Sequence, residues 1–274
     1  VEAERARVEL TRLGTRALKP LLDAMSDNDT GQQRVSLEIL GYLGNRNATS
    51  ALLTVAENGG VAGTVRRDAL RAAAALADAR ALPRLVALTR QNDPTLALLA
   101  TWGIARVRSP ESVATLVRVL ESREHPADTR AMAALGLTGV RTPVARAALL
   151  RALDGAVGAF QPGSQDVRPG EVRPSGEPVF VASVVWALGS WGDVSLAPRF
   201  RSLMTATFWP HASAVAALGM LPGAPRAEVL GDLAGAMFSP ARPSAGSGTL
   251  ALHRVAARAL VRLAGQGDDP FARV

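Results

Sequence analysis

A chain of 274 residues that is 48% hydrophobic, 4% aromatic and free of cysteine has ample aliphatic material for a continuous core. Without thiols, it has no disulfides, no thiolate chemistry and no cysteine-based zinc site. Its formal charge of +7 suits a nucleic-acid or anionic-lipid partner, yet its basic residues are arginines apart from Lys19, the charges alternate in sign and no five-residue basic block occurs. Coding bias in a GC-rich genome accounts for the same arginine excess, and the missing cysteine leaves the compartment open, with a lean toward the cytoplasm.

In chain order, one phrase recurs eight times: an apolar residue, two others, a second apolar residue, then a small one. It runs Leu10/Leu13/Gly14, Leu37/Leu40/Gly41, Leu70/Ala73/Ala74, Leu99/Trp102/Gly103, Met132/Leu135/Gly136, Val185/Leu188/Gly189, Val215/Leu218/Gly219 and Ala257/Leu260/Val261. The small residues are separated by 27, 33, 29, 33, 53, 30 and 42 positions. Apolar residues three apart share a helix face, so each phrase marks an inner helix, and a period near 31 predicts a stacked helical array. A second phrase pairs residues four apart between the inner helices, at Ala17/Leu21, Ala48/Leu52, Ala81/Leu85, Ser112/Leu116, Ala145/Leu149, Leu196/Phe200 and Arg226/Leu230. These mark outer helices. The expectation is an all-α solenoid spanning 1–274, a leading inner helix followed by about seven hairpins. Asp27, Asp29, Asn92-Asp93-Pro94 and Ser109-Pro110 stand where helices should start, since Asp, Asn and Ser cap free amides and proline fits the first turn. A mid-helix glycine costs about 1 kcal/mol against alanine, so glycine at the small position points to close helix approach.

Two steps are overlong. The first insertion, 155–178, is rich in Gly and Pro, contains Arg168 and Arg173, and carries a turn signal at Pro169-Gly170. The second, 240–248, reads Pro-Ala-Arg-Pro-Ser-Ala-Gly-Ser-Gly. Both fall between an outer and an inner helix, which places them on one edge of the array. The uncharged stretches 178–192 and 202–225 are too short, or too broken by proline, to span a bilayer. A start at Val1 inside a helical pattern suggests an excised or processed piece.

The run Arg34-Val-Ser-Leu37-Glu-Ile-Leu40-Gly41-Tyr-Leu43-Gly44, followed by Ala48 and Leu52, resembles HEAT repeats of the short phycobilisome-lyase-like kind. Similar runs are Thr129–Gly136 and Arg254–Leu260, and the resemblance covers about 4–264. It implies an α-solenoid. The family's Asp before the inner helix and Arg within it correspond to Asp29/Arg34 and Asp128/Arg130, whereas Leu96, Ala182 and Ala212 occupy the Arg position elsewhere.

Aligned on the small residue, the position three before it reads Thr11, Glu38, Arg71, Ala100, Ala133, Trp186, Ala216 and Arg258. Its charged members predict a solvent-facing column and an exposed Trp186, unless local rotation buries the ring. Aromatics are skewed: Tyr42 and Trp102 precede residue 160 and nine lie from there onward. Trp102 and Trp191 fall in mostly apolar columns and are expected in the core, while Phe208 and Trp209 are expected at a turn. Arg254, Arg258 and Arg262 lie four apart on one helix face, as an anion-binding row or as the polar cap that an array end needs. His211 and His253 share a column, but no carboxylate converges on them, and neither metal nor cofactor is expected. The candidate partner-binding set is therefore Trp186, Phe208, Trp209, Arg168, Arg173, Arg254, Arg258 and Arg262. The expected function is a non-enzymatic protein-interaction scaffold. Alternatives are a nucleic-acid binder like the HEAT-like DNA glycosylases, or a bilin-lyase-like helper, the latter suggested by the subfamily name alone.

Overall fold

The structure is a computed structural model that describes residues 12, 14–25, 29–157, 177–203 and 208–221. Among them are twelve α-helices and no strand. They are α1 (Leu18–Ala24), α2 (Thr30–Leu43), α3 (Thr49–Glu57), α4 (Gly63–Ala75), α5 (Leu82–Leu88), α6 (Pro94–Val107), α7 (Pro110–Glu121), α8 (Ala127–Gly136), α9 (Pro143–Val157), α10 (Glu177–Gly189), α11 (Ala197–Ser202) and α12 (Phe208–Leu218). Odd-numbered helices are the outer ones and even-numbered helices the inner ones. The chain forms two compact units, Val1–Val119 and Leu120–Val274. In the first, α2, α4 and α6 stack side by side, with α1, α3 and α5 each packed on the inner helix that follows. In the second, α8, α10 and α12 stack in the same way, with α9 on α10 and α11 on α12.

Four of the five described inner-to-outer turns repeat one pattern, a left-handed residue and then a capping side chain; between α8 and α9 the left-handed residue is Gly139, φ +75°, and the cap is Thr142, three residues on. Gly44, Ala77, Arg108 and Gly192 have φ of +67°, +50°, +54° and +69°. The next residue caps: Asn45, Asp78 and Asp193 each accept the amide two residues on at 3.0 Å, and Ser109 accepts that of Ser112 at 3.1 Å. A left-handed residue terminates a helix by turning its last carbonyls back onto the chain, and the Asx or Ser oxygen starts the next helix. Outer-to-inner turns use Asp29 and Asp93, whose carboxylates accept the first amides of α2 and α6. One inner-helix column then ties each hairpin together. Gln33, Arg66 and Arg130 donate to the carbonyls of Met25, Ala56 and Leu120 at the ends of α1, α3 and α7. These carbonyls lack helical partners and sit at the negative end of the helix dipole.

The core shows where the predicted alignment slips. Six pairs line the inner helices, all apolar but for Thr101: Leu37/Leu40, Leu70/Ala73, Thr101/Ile104, Ala134/Leu137, Val185/Leu188 and Val215/Leu218, every member buried. In α6 and α8 the sequence phrase lies two residues too early. Leu99, Trp102 and Met132 are only half-buried and Leu135 is exposed, while Ala100 and Ala133, expected to face solvent, are buried. The corrected small positions are Gly41, Ala74, Ala105, Thr138, Gly189 and Gly219.

Helix crossings explain why glycine misled the alignment. At three of the crossings the small position of one inner helix faces the residue two before the small position of the next. A Cβ on Gly41 would meet Ala72 Cα at 3.3 Å, one on Gly103 would meet Ala74 Cβ at 3.0 Å, and one on Gly189 would meet Ala217 Cβ at 2.6 Å. Each of these three crossings thus holds one glycine and one alanine. Gly103 supplies the glycine from the far side, displaced by those same two residues.

The first insertion is shorter than predicted, because α9 runs to Val157 and α10 begins at Glu177. Residues 158–176, the insertion at 240–248, the leading inner helix and the last hairpin lie outside the described residues.

Candidate functional site

The corrected register changes which side chains the inner helices present. The position three before the small residue now reads Glu38, Arg71, Trp102, Leu135, Trp186 and Ala216. Glu38, Arg71, Leu135 and Trp186 are exposed, while Trp102 and Ala216 are half-buried. In the first unit this column borders an open groove of about 680 Å³ across α2, α4 and α6.

The floor of the groove is made of small and aliphatic residues, Leu37, Gly41, Ala72 and Ala75. It is deep because the Gly41–Ala72 crossing brings α2 and α4 close. Apolar side chains rise around it: Val35 is 46% exposed and Tyr42 is 73% exposed, and Trp102 flanks them from α6. The Arg106 guanidinium lies 5.2 Å from the centre of the Trp102 ring and donates to the Ala75 carbonyl at 3.2 Å, which fixes the indole over the α4–α6 junction. The polar part is a three-residue network. Asp68, on α4, receives Arg34 Nε from α2 at 2.6 Å and Arg71 Nη1 from its own helix at 2.7 Å. Asp68 is 17% exposed at its side chain, whereas Arg34 and Arg71 are 55% and 59% exposed. The hydrogen bond that Arg34 donates to Asp68, reinforced by the carboxylate's charge, holds the Arg34 guanidinium above its ordinary pKa.

In the second unit, Trp186 is 43% exposed and Leu135 is 41% exposed, on the neighbouring inner helices α10 and α8. Toward the start of the same two helices Phe180 is fully buried, with the Arg130 guanidinium 3.9 Å from its ring centre. Arg130 also pairs with Glu177 at 3.2 Å. Its charge is therefore engaged on three sides at the start of α10.

Of the predicted binding residues, Trp186 is exposed as expected. Phe208 and Trp209 open α12 rather than occupying a turn, and their side chains lie outside the described residues, as does that of His211. Arg168, Arg173, Arg254, Arg258, Arg262 and His253 also lie outside them. Trp102 borders the groove instead of filling the core, and Trp191 is half-buried at the end of the α10 turn. Asp29 gives its carboxylate to the amides of α2 while Arg34 reaches forward to Asp68, so Arg34 pairs with the neighbouring inner helix and not with Asp29. Val35, Tyr42, Arg34 and Arg71 were not among the predicted binding residues. The signal for Trp102 was present in the spacing: seven residues separate Gly41 from Ala48, Ala74 from Ala81 and Gly189 from Leu196, but nine separate Gly103 from Ser112 and Gly136 from Ala145. Moving two phrases by two residues restores the period and exposes Trp102.

Arginines on the outer helices pair with the preceding outer helix. Arg84 binds Glu57 at 2.6 Å, Arg151 binds Glu121 at 2.5 Å, and Arg199 binds Asp154 at 2.5 Å. Arg146 pairs with Asp193. The basic excess in these parts is spent between repeats.

Residues 85–159 match the family model for HEAT repeats. That segment carries HEAT repeats. Among solved structures it is similar to human deoxyhypusine hydroxylase in complex with glycerol, at 18% identity over 95% of this chain and 89% of that one, with a TM-score of 0.37. It is also similar to the complex of CpcE and CpcF of phycocyanin lyase from Nostoc sp. PCC7120, at 17% identity over 93% and 91% of the two chains, with a TM-score of 0.41. Likeness at that level says nothing of shared chemistry. No curated protein matches the chain. Among the described residues no helix is long and apolar enough to cross a membrane, and no three His, Cys, Asp or Glu are grouped to hold a metal. The HEAT match includes Trp102, which lines the groove from α6, and Arg106, which lies over its ring.

Proposed function

We propose that this HEAT-repeat protein is a non-catalytic scaffold that docks a protein partner on its inner helices, chiefly in the groove of the first unit. The observation that carries this reading is the groove's make-up: exposed Tyr42 and Val35, a Trp102 pinned by Arg106, and charges of both signs in Arg34, Arg71, Asp68 and Glu38. Aromatic and arginine side chains around a small-residue floor are the composition of protein-binding hot spots. A nucleic-acid groove is lined by one sign of charge to neutralise phosphates, and here two carboxylates sit among the arginines. Trp186 and Leu135 give the second unit an apolar face of its own.

The test is affinity capture from the native lysate, with the parent chain compared with Tyr42→Ala/Trp102→Ala and with Trp186→Ala. Loss of the same captured protein from the groove variant, at unchanged helicity, supports the reading. Equal capture by all three would remove the inner face from consideration. Tight duplex-DNA binding with a steep salt dependence would replace the protein partner by nucleic acid.

A further inference from the structure

Resting on the groove as the docking face, we infer that its occupant is a short segment of a partner protein that presents a carboxylate beside an apolar side chain. The two guanidiniums of Arg34 and Arg71 are not free to wander. Each lies within 2.7 Å of a different oxygen of the same Asp68 carboxylate, which holds them side by side at the groove. Arg34 spends its Nε and Arg71 one Nη on Asp68. A guanidinium carries five N–H donors in a rigid fork, so most of their donors remain, and both side chains stay more than half exposed.

Local charge favours an anion at the two guanidiniums. The Arg34–Asp68–Arg71 network holds two positive charges and one negative, leaving +1 where the remaining donors lie, while Glu38 brings the groove lining as a whole to zero. One incoming carboxylate balances the network. A side chain or terminal carboxylate bridging Arg34 and Arg71 would form charge-assisted hydrogen bonds to both, the strong class of such bonds. The two arginines keep the entropy of meeting it low because Asp68 has already ordered them.

The rest of the groove sets what accompanies the carboxylate. The floor of Leu37, Gly41, Ala72 and Ala75 offers no donor beyond helical backbone, and Tyr42, Val35 and Trp102 rise beside it. A volume of about 680 Å³ falls within the range of preformed ligand sites, roughly 300–1,000 Å³, enough for a few residues of peptide. The complementary segment therefore carries Asp, Glu or a C-terminal carboxylate one or two residues from Leu, Ile, Met or an aromatic.

The experiment selects a random linear peptide library on the full chain and measures the winners by fluorescence anisotropy. Peptides sharing an acidic residue next to an apolar one are expected. Their affinity should fall about tenfold or more in Arg34→Gln/Arg71→Gln and on changing the peptide's acid to its amide, and should hold in Trp186→Ala. Circular dichroism of the double variant confirms an intact fold, and Arg34→Lys/Arg71→Lys, which keeps the charge without the fork, should recover only part of the loss. Peptides that need Tyr42 and Trp102 but neither an acid nor Arg34 and Arg71 would overturn this inference and leave the docking groove standing. Peptides indifferent to all groove substitutions would overturn both. A single-stranded oligonucleotide that competes for the groove and depends on the same two arginines would assign the anion site to phosphate and overturn the carboxylate.

Discussion

Gly189 sets how closely α10 and α12 cross. A Cβ placed there lies 2.6 Å from Ala217 Cβ and 2.7 Å from Ala217 Cα, against an ordinary carbon–carbon separation of about 3.5–4.0 Å. Gly189→Ala therefore requires the two helices to part by about 1 Å. No rotamer change can relieve the clash, because the obstacles are a backbone atom and a methyl fixed to it. Alanine gains about 1 kcal/mol of helix propensity over glycine, and overpacking costs about 1–3 kcal/mol, occasionally more. With backbone as the obstacle the upper end applies, and the net destabilisation is about 2 kcal/mol. Two other crossings grade the effect. Gly103→Ala meets Ala74 Cβ at 3.0 Å and a Leu85 methyl at 3.2 Å, the latter able to turn, and Gly41→Ala meets Ala72 Cα at 3.3 Å. Urea unfolding followed by far-ultraviolet circular dichroism should rank the variants Gly41→Ala, Gly103→Ala, Gly189→Ala from most to least stable, with the first close to the parent. Adding Ala217→Gly to Gly189→Ala should return about 1–2 kcal/mol as coupling between contacting residues. A Gly189→Ala protein as stable as the parent would refute helix crossing as the reason for glycine at this column.

Ala77 pays the left-handed conformation, φ +50°, without glycine's freedom, so Ala77→Gly should stabilise the first unit by about 0.5–1 kcal/mol; a lower unfolding midpoint would contradict the cap assignment. Leu40 and Leu188 are fully buried, and Leu40→Arg or Leu188→Arg should cost about 3–5 kcal/mol by burying an unpaired charge, seen as loss of the thermal transition of the unit concerned. Stability should also fall in acid. Asp78 is held below the usual carboxylate range first by its hydrogen bonds from Arg80, and Asp193 by its hydrogen bond from Ser195 and then that from Arg146. A carboxylate that binds its proton less readily when folded contributes fully above the unfolded value, about pH 4, and loses that contribution as pH drops through the lower folded value. Urea midpoints should therefore hold above about pH 5 and decline below about pH 4, and Asp78→Asn should shallow the decline; an unchanged acid limb would show that Asp78 titrates alike in both states.

The fold was legible because it rests on local, repeated choices. Apolar residues three apart place one helical face inward, and Asp29, Asp93 and Ser109 cap where their side-chain chemistry says they should. Alanine and glycine at crossings leave no room for larger residues. What the spacing of small residues blurred was register, and the reason is symmetrical: where a crossing uses a glycine, either helix can provide it. Gly41 and Gly189 provide it from the small position, Gly103 from two residues before. An alignment that follows glycine therefore jumps between the two sides of the crossing. Whereas Gly139 stands one residue after Thr138, the left-handed caps at Gly44, Ala77, Arg108 and Gly192 keep one place, three residues after the small position. Arg108 marks that place without being a glycine, which hid it.

The same two-residue displacement hid the binding face. With α6 in its predicted register, Trp102 belonged to the core and Ala100 to the surface; in the structure Ala100 is buried and Trp102 stands beside Tyr42 and the Arg34–Asp68–Arg71 network. No local property of Trp102 distinguishes the two states, since an indole suits either. Only its distance from the next outer helix does. Charge was equally ambiguous from composition. A +7 chain could have carried one basic groove, but pairing between neighbours is decided by side chains about a repeat apart. Arg34 with Asp68, Arg84 with Glu57 and Arg151 with Glu121 each couple one repeat to the next. Exposed pairs of this kind are worth about 0–1 kcal/mol each, so they fix register more than they add stability. What they leave for a partner is local: two guanidiniums aligned by one carboxylate, over a floor that the Gly41–Ala72 crossing makes deep enough to enter.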